Sequence, residues 1–194
     1  MFGIRSGYEE PSYETVARLG DVEIRHYGPR LTAQTIVEAA DEMSGRSAAF
    51  RILAAYIFGD NVAKDEIAMT TPVAVEEQSQ QIEMTTPVET TTIDGGRYAM
   101  RFFLPASYTS ETAPAPTDPR VQLAVVPENT VAVLRFTGSR DPRAVATRGD
   151  ELVRTLADSQ WQAVGRPFSL FYDPPWTIPF LRRNEVVVSV VPKT

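Results

Sequence analysis

One histidine, His26, and a scatter of arginines carry most of the chemistry this chain can offer. His26 lies in Val22-Glu23-Ile24-Arg25-His26-Tyr27. Alternation puts it on the apolar side with Val22 and Ile24, while Glu23, Arg25 and Tyr27 take the other side. A neutral imidazole there can ligate a metal, and it can equally sit at a rim, hydrogen-bonded to backbone. A lone histidine cannot build a clustered zinc site, and no Ser/His/Asp order is legible with the histidine so early. Cysteine is absent, which removes disulfides, thiolate metal sites and cysteine nucleophiles. No GxGxxG or P-loop occurs. Arg25, Arg30, Arg182 and Arg183 each present a guanidinium fork that matches a carboxylate, and each taken singly also reads as ordinary solvated charge. Glu76-Glu77 falls in a polar loop with nothing apolar nearby to raise a pKa.

The elements that must position these groups follow from periodicity. A strand is expected from near Tyr13 and another over Val22–Tyr27, with Gly28-Pro29 turning the chain into a partner strand, Leu31 to Glu38. Asp41 to Gly45 reads as a polar break. Ala48 to Phe58 reads as a helix whose stripe of Ala49, Ile52, Leu53 and Tyr56 faces the core, with Gly59 as its left-handed stop. Tyr98, Met100, Phe102 and Leu104 alternate along a later strand. After a proline-rich connection over 105–120, Val121 to Val126 and Thr130 to Phe136 read as partner strands around Pro127-Glu128. Asp141-Pro142 opens a second helix, with an acidic N-cap and proline at the first helical position. Ser169 to Tyr172 and Glu185 to Val191 read as the last strands.

A doubled phrase stands between the first helix and the Tyr98 strand. Ile67-Ala68-Met69-Thr70-Thr71-Pro72-Val73 is followed, after a polar spacer, by Ile82-Glu83-Met84-Thr85-Thr86-Pro87-Val88. Both copies alternate as half-buried strands and are expected to pair antiparallel, with Met69 and Met84 inward. Strand methionine is more often core filling than a metal ligand. The proline in each copy confines that end to a sheet edge.

The two halves, about 13–105 and 121–191, repeat the order strand, strand, helix, strands. Their first turns and their helices are offset by about 99 positions. This predicts an internal duplication with a pseudo-twofold repeat. The two halves are expected to share one curved antiparallel sheet with both helices outside it, an α+β domain over 13–194 preceded by a loose arm at 1–12.

The chain has 194 residues, 43% of them hydrophobic, which suits a packed core. A net charge of −6 argues against nucleic acid as the main partner. The first ten residues lack a basic segment followed by an apolar stretch, and no run reaches the roughly 18 apolar residues of a membrane span. The expectation is a soluble cytoplasmic protein with no membrane partner.

Taken together, these segments resemble the SOUL family of haem-binding proteins. The resemblance rests on Val22 to Pro29, Tyr56-Ile57-Phe58-Gly59-Asp60-Asn61, the doubled phrase, Met100 to Pro105, Val131-Ala132-Val133, Phe136-Thr137-Gly138, Tyr172-Asp173-Pro174-Pro175 and Pro179 to Val186. The chain also looks like the effector-binding domains related to gyrase-inhibitor proteins. The resemblance implies a distorted antiparallel β-barrel with two helices and a non-enzymatic protein that binds haem or another tetrapyrrole, buffering it or passing it to a protein acceptor. A haem site needs an apolar slot, a polar or cationic rim for the propionates and optionally an axial ligand. In that frame His26 is the candidate iron ligand, and Leu53 and Ile57 floor the slot. Met69 and Met84 line it, and Arg25, Arg30, Arg182 and Arg183 meet the propionates. Two other readings stand beside this one: an effector- or partner-binding module without physiological haem, and a hydrolase using the same cleft.

Overall fold

The computed structural model describes residues 9–63, 79–173 and 176–193. The first copy of the doubled phrase, with Met69, lies outside them. In chain order the elements are β1 (Tyr13–Leu19), β2 (Val22–Tyr27), β3 (Arg30–Glu38), α1 (Glu42–Phe58), β4 (Asn61–Val62), β5 (Val88–Ile93) and β6 (Arg97–Phe103). There follow β7 (Ala115–Pro116), β8 (Gln122–Val126), β9 (Asn129–Phe136), α2 (Pro142–Ala157), β10 (Trp161–Phe171) and β11 (Asn184–Pro192). Two helices and a large antiparallel sheet make the fold α+β.

Nine strands form one sheet in the order β1-β2-β9-β11-β10-β5-β6-β3-β8, and β4 pairs separately with β7. The expected closed barrel is not found: among the described residues β1 and β8 end the sheet and do not pair with each other. Two local pairings also differ from expectation. β2 pairs with β1 and β9 rather than with β3, and β3 pairs with β6 and β8. β8 and β9, expected as partners, do not pair: β8 is an edge strand beside β3, and β9 lies between β2 and β11. The chain bends at Gly28-Pro29 and at Pro127-Glu128, but no hairpin ladder follows. Three ladders join the two halves of the sequence: β2 with β9, β3 with β8 and β5 with β10.

Alternation along the strands assigns two apolar sets to one face and one to the other. Val22, Ile24, Ala132, Leu134, Phe136, Val186 and Val188 pack with Leu152 and Leu156 of α2. Ala33, Met100 and Phe102 pack with Ala49, Leu53, Tyr56 and Ile57 of α1. Both helices therefore cover the same face. On the opposite face, Tyr27, Phe103, Val131, Val133, Leu170, Tyr172 and Val187 form a third cluster. Burying both faces of the central strands removes far more apolar area from water than either helix alone would.

The helix ends follow side-chain chemistry. Asp141 accepts from the Ala144 N–H at 2.8 Å, and Pro142 follows at the first turn, as expected. Asp41 accepts from the Ser44 N–H at 2.9 Å, so α1 begins at Glu42 rather than at Ala48. The polar break expected over 41–45 is the cap and first turn of that helix. Gly59, at φ 127°, ends it as anticipated.

The second copy of the doubled phrase is not a strand until Val88. Ile82 is fully buried, and its N–H donates to the Ile57 carbonyl at 2.9 Å at the end of α1. Thr85 forms one isolated parallel bridge with Glu9. Pro87 has no N–H to give a ladder, so regular pairing starts only after it.

Candidate functional site

A large apolar cavity lies on the helix-bearing face, between α1, the segment ahead of α2 and strands β5, β6 and β10. Its volume is 630 Å³, within the roughly 300–1,000 Å³ range of small-molecule sites. Met43 and Phe50 of α1, Val88, Met100 and Phe171 supply its apolar wall. Met43 is 67% exposed and Phe50 37%, so α1 carries a second apolar stripe beside the one that faces the core.

Arg46, Arg51, Arg140 and Arg182 surround this wall. The guanidinium carbons of Arg46 and Arg140 each lie 4.9 Å from the centre of the Phe171 ring. Arg46 donates to the Arg140 carbonyl at 2.8 Å, which ties α1 to the loop that caps α2. Arg46 also pairs with Glu42 one turn earlier. Arg140 donates to Asn184 Oδ1 at 2.8 Å. Even so, Arg46 Nε, Arg140 Nη2 and Thr90 Oγ1, all of residues lining the cavity, are buried without a hydrogen-bond partner among the described residues. Burial lowers the Arg46 guanidinium from its ordinary value, with Glu42 partly offsetting this. Burial, reinforced by the charges of Arg182 and Arg46 and opposed by Asp173, brings Arg140 down to about 10. Unmet donors on crowded cations are a preformed receptor for an anion.

The residues singled out from sequence do not converge here. Arg182 does line the cavity, and its Nε donates to the Thr177 carbonyl at 2.7 Å. Leu53 and Ile57 are 0% and 2% exposed, packed under α1 as core rather than as a slot floor. Met84 is half-buried against the same cluster. His26 is half-buried at the end of β2, with Nδ1 3.1 Å from Thr130 Oγ1, and does not line the cavity. Arg25 is buried on the opposite face, 3.0 Å from Glu185 and 2.6 Å from Glu23. Arg183 pairs with Glu185 and Glu10, each at 3.0 Å, and its guanidinium stacks 3.7 Å over the Tyr172 ring. Arg30 also lies on the opposite face. Met69 is outside the described residues.

Sequence reasoning missed Arg46, Arg140, Phe50 and Phe171. A partial signal existed: Met43 and Phe50 stand seven residues apart, two turns of a helix, once α1 is known to start at Glu42.

The class these features define is a binding fold with a cation-rimmed apolar cavity. The family profile described as SOUL heme-binding protein matches residues 8–189, and the chain belongs to that family. Heme-binding protein 2 of Mus musculus is 31% identical over 174 residues, covering 86% of this chain and 77% of the mouse protein. Among solved structures, the C-terminal domain of EcmrR superposes with a TM-score of 0.61 at 10% identity, over 94% of this chain and 99% of that one. A hydrolase from Listeria innocua gives 0.57 at 11% identity, over 91% and 94%. At such identities the two structures speak for the fold alone. Among the described residues, no helix is long and apolar enough to cross a membrane.

Proposed function

We propose that this protein binds haem or a related tetrapyrrole in the 630 Å³ cavity and buffers it or delivers it to a protein acceptor. The observation that carries this reading is the pair of buried, unpartnered guanidinium nitrogens on Arg46 and Arg140 beside the apolar wall of Phe50, Met100 and Phe171. A tetrapyrrole offers what that arrangement lacks: a large apolar face for the wall and two carboxylates for the cations. Arg46 and Arg140 would hold the propionates, with Arg182 completing the rim. Haem supplies the iron chemistry; the protein supplies the fit and the counter-charge. His26 is not needed for this binding mode.

This is a binding role rather than catalysis, carried out by a soluble cytoplasmic protein. The domain spans 13–194, and its halves descend from one repeat. Support for the repeat comes from the strand order. With the edge strand β1 set aside, β2-β9-β11-β10 corresponds to β8-β3-β6-β5, each running inward to the central β10–β5 pair, with one helix following β3 and one following β9.

The test is a haemin titration of purified protein followed by absorption, with Arg46→Gln and Arg140→Gln alongside. Saturable binding at one site, weakened by both changes, is expected. Binding that does not saturate, or that ignores both substitutions, overturns the reading and leaves the effector-module alternative.

A further inference from the structure

A second cavity lies on the other face of the sheet, opposite both helices. Its volume is 490 Å³, and it shares no lining residue with the first. Phe103, Val131, Phe168, Leu170 and Val187 supply apolar surface. All five sit on strands of the nine-stranded sheet, and four belong to the buried third cluster. The wall is therefore rigid sheet rather than loop, which is the condition for a preformed site.

Arg30, the first residue of β3, stands in this cavity. Its guanidinium carbon lies 4.3 Å from the centre of the Tyr27 ring and 5.2 Å from that of Phe103. It donates through Nη2 to Asn129 Oδ1. Its Nε is buried and has no hydrogen-bond partner among the described residues. No ion pair among those residues involves Arg30. Its neighbouring arginines on this face are each paired: Arg101 with Glu89 at 2.6 Å, and Arg25 and Arg183 with Glu185. Arg30 is thus held between rings in a place that disfavours its charge. Burial lowers its pKa, with Tyr27 and Glu89 partly offsetting this. Cation–ring contacts fix its position but do not replace a counter-ion.

We propose that this cavity binds a small amphiphilic anion, whose carboxylate or phosphate head pairs with Arg30 and whose apolar body lies over Phe103, Phe168 and Leu170. A cationic ligand fits poorly. It would meet the guanidinium groups of both Arg30 and Arg101, while the one carboxylate in the lining, Glu89, is already engaged by Arg101. A wholly apolar ligand would leave Arg30 Nε as it is, unpaired. The site is independent of haem binding, because the two linings are separate.

The experiment uses four probes with one ten-carbon body: decanoate, decyl phosphate, decan-1-ol and decyltrimethylammonium. Calorimetry is run on the wild-type protein, on Arg30→Gln and on Arg140→Gln, the last altering only the haem cavity. At least one of decanoate and decyl phosphate should bind saturably to the wild type and to Arg140→Gln, and about tenfold more weakly to Arg30→Gln. The tighter of the two identifies the head group. Decan-1-ol should not distinguish Arg30→Gln from wild type. The proposal is overturned if neither anion binds, if Arg30→Gln leaves their affinity intact, or if the ammonium probe binds more tightly than either. A second readout needs no variant. Methyl resonances of Val131, Leu170 and Val187 in the wild-type protein should shift on adding the bound anion. Shifts at Val88 and Met100 in their place would put the probe in the haem cavity and overturn the proposal.

Discussion

The Arg25 guanidinium and the Glu185 carboxylate meet at 3.0 Å although their strands do not touch: β9 runs between β2 and β11. The two side chains are 4% and 0% exposed. Glu185 also accepts from the Tyr172 hydroxyl at 2.6 Å and from Arg183 at 3.0 Å. Burial, followed by the charge of Glu185, pushes the Tyr172 hydroxyl up and keeps it a donor. Burial alone would lower Arg25, but Glu185 more than compensates, so Arg25 stays charged. Glu185→Gln would leave a sealed guanidinium without its main counter-charge. It should destabilise the fold by about 3–5 kcal/mol in urea denaturation. A loss below about 1 kcal/mol would mean that water reaches the pair. Haem affinity of the folded fraction should not change, because the network is on the other face.

Arg140 sets folding against binding. Its guanidinium is brought to about 10 by burial and by neighbouring cations, so carrying that charge works against the empty fold. Arg140→Gln should hold apo-protein stability within about 1 kcal/mol of wild type, since partial exposure screens the penalty and the Asn184 contact is lost. The same change should weaken haem binding about tenfold. His26→Ala should leave both the affinity and the absorption spectrum of the haem complex unchanged. An altered spectrum would show His26 at the iron.

The pH dependence of haem binding has a definite sign. Arg140 in the free protein loses its proton as pH rises through about 10, below the ordinary arginine value. Affinity should be level between about pH 7 and 9 and fall above about 10. The folding penalty from this residue moves the other way: it is present at neutral pH and fades as pH rises through the same value. In Arg140→Gln the fall in affinity near pH 10 should be absent, which titration across this window would check.

Two helix glycines should respond oppositely to alanine. A Cβ on Gly45, in the first turn of α1, would overlap the Tyr98 ring of β6. Gly45→Ala should therefore destabilise by about 1–2 kcal/mol, overpacking outweighing the helix-propensity gain. A Cβ on Gly149 of α2 would meet Pro167 at 3.4 Å, ordinary contact. Gly149→Ala should be neutral or stabilising by up to about 1 kcal/mol. Chemical denaturation of both proteins decides the comparison.

Local signals in the sequence carried the fold as far as local physics reaches. The Asp141-Pro142 cap, the Gly59 stop and the Val22–Tyr27 strand stand where alternation and capping put them. What failed was pairing. Gly28-Pro29 and Pro127-Glu128 look like hairpin turns, yet β2 joins β9 and β3 joins β8. Period-two patterning says which face a residue takes and nothing about which strand lies beside it. Of the proposed haem cavity, the sequence pointed only to Arg182. Arg46 and Arg140 are 94 positions apart and come together through tertiary packing around Phe171, so no spacing rule links them. The arginines that spacing did pick out, Arg25 and Arg183, are consumed by Glu185.

β5, β6 and β10 form a party wall. Val88, Met100 and Phe171 look into one room, and their chain neighbours Glu89, Arg101 and Leu170 look into the other. A single-residue insertion or deletion in β5 would transpose its tenants, sending Glu89 to the helix-bearing side and a threonine or valine to Arg101. Such length changes should be purged from β5 and β6 over evolutionary time even where each individual side chain is free to vary. The register irregularity of β10 between Val164 and Phe168 falls before the wall begins, where a change of phase disturbs neither room.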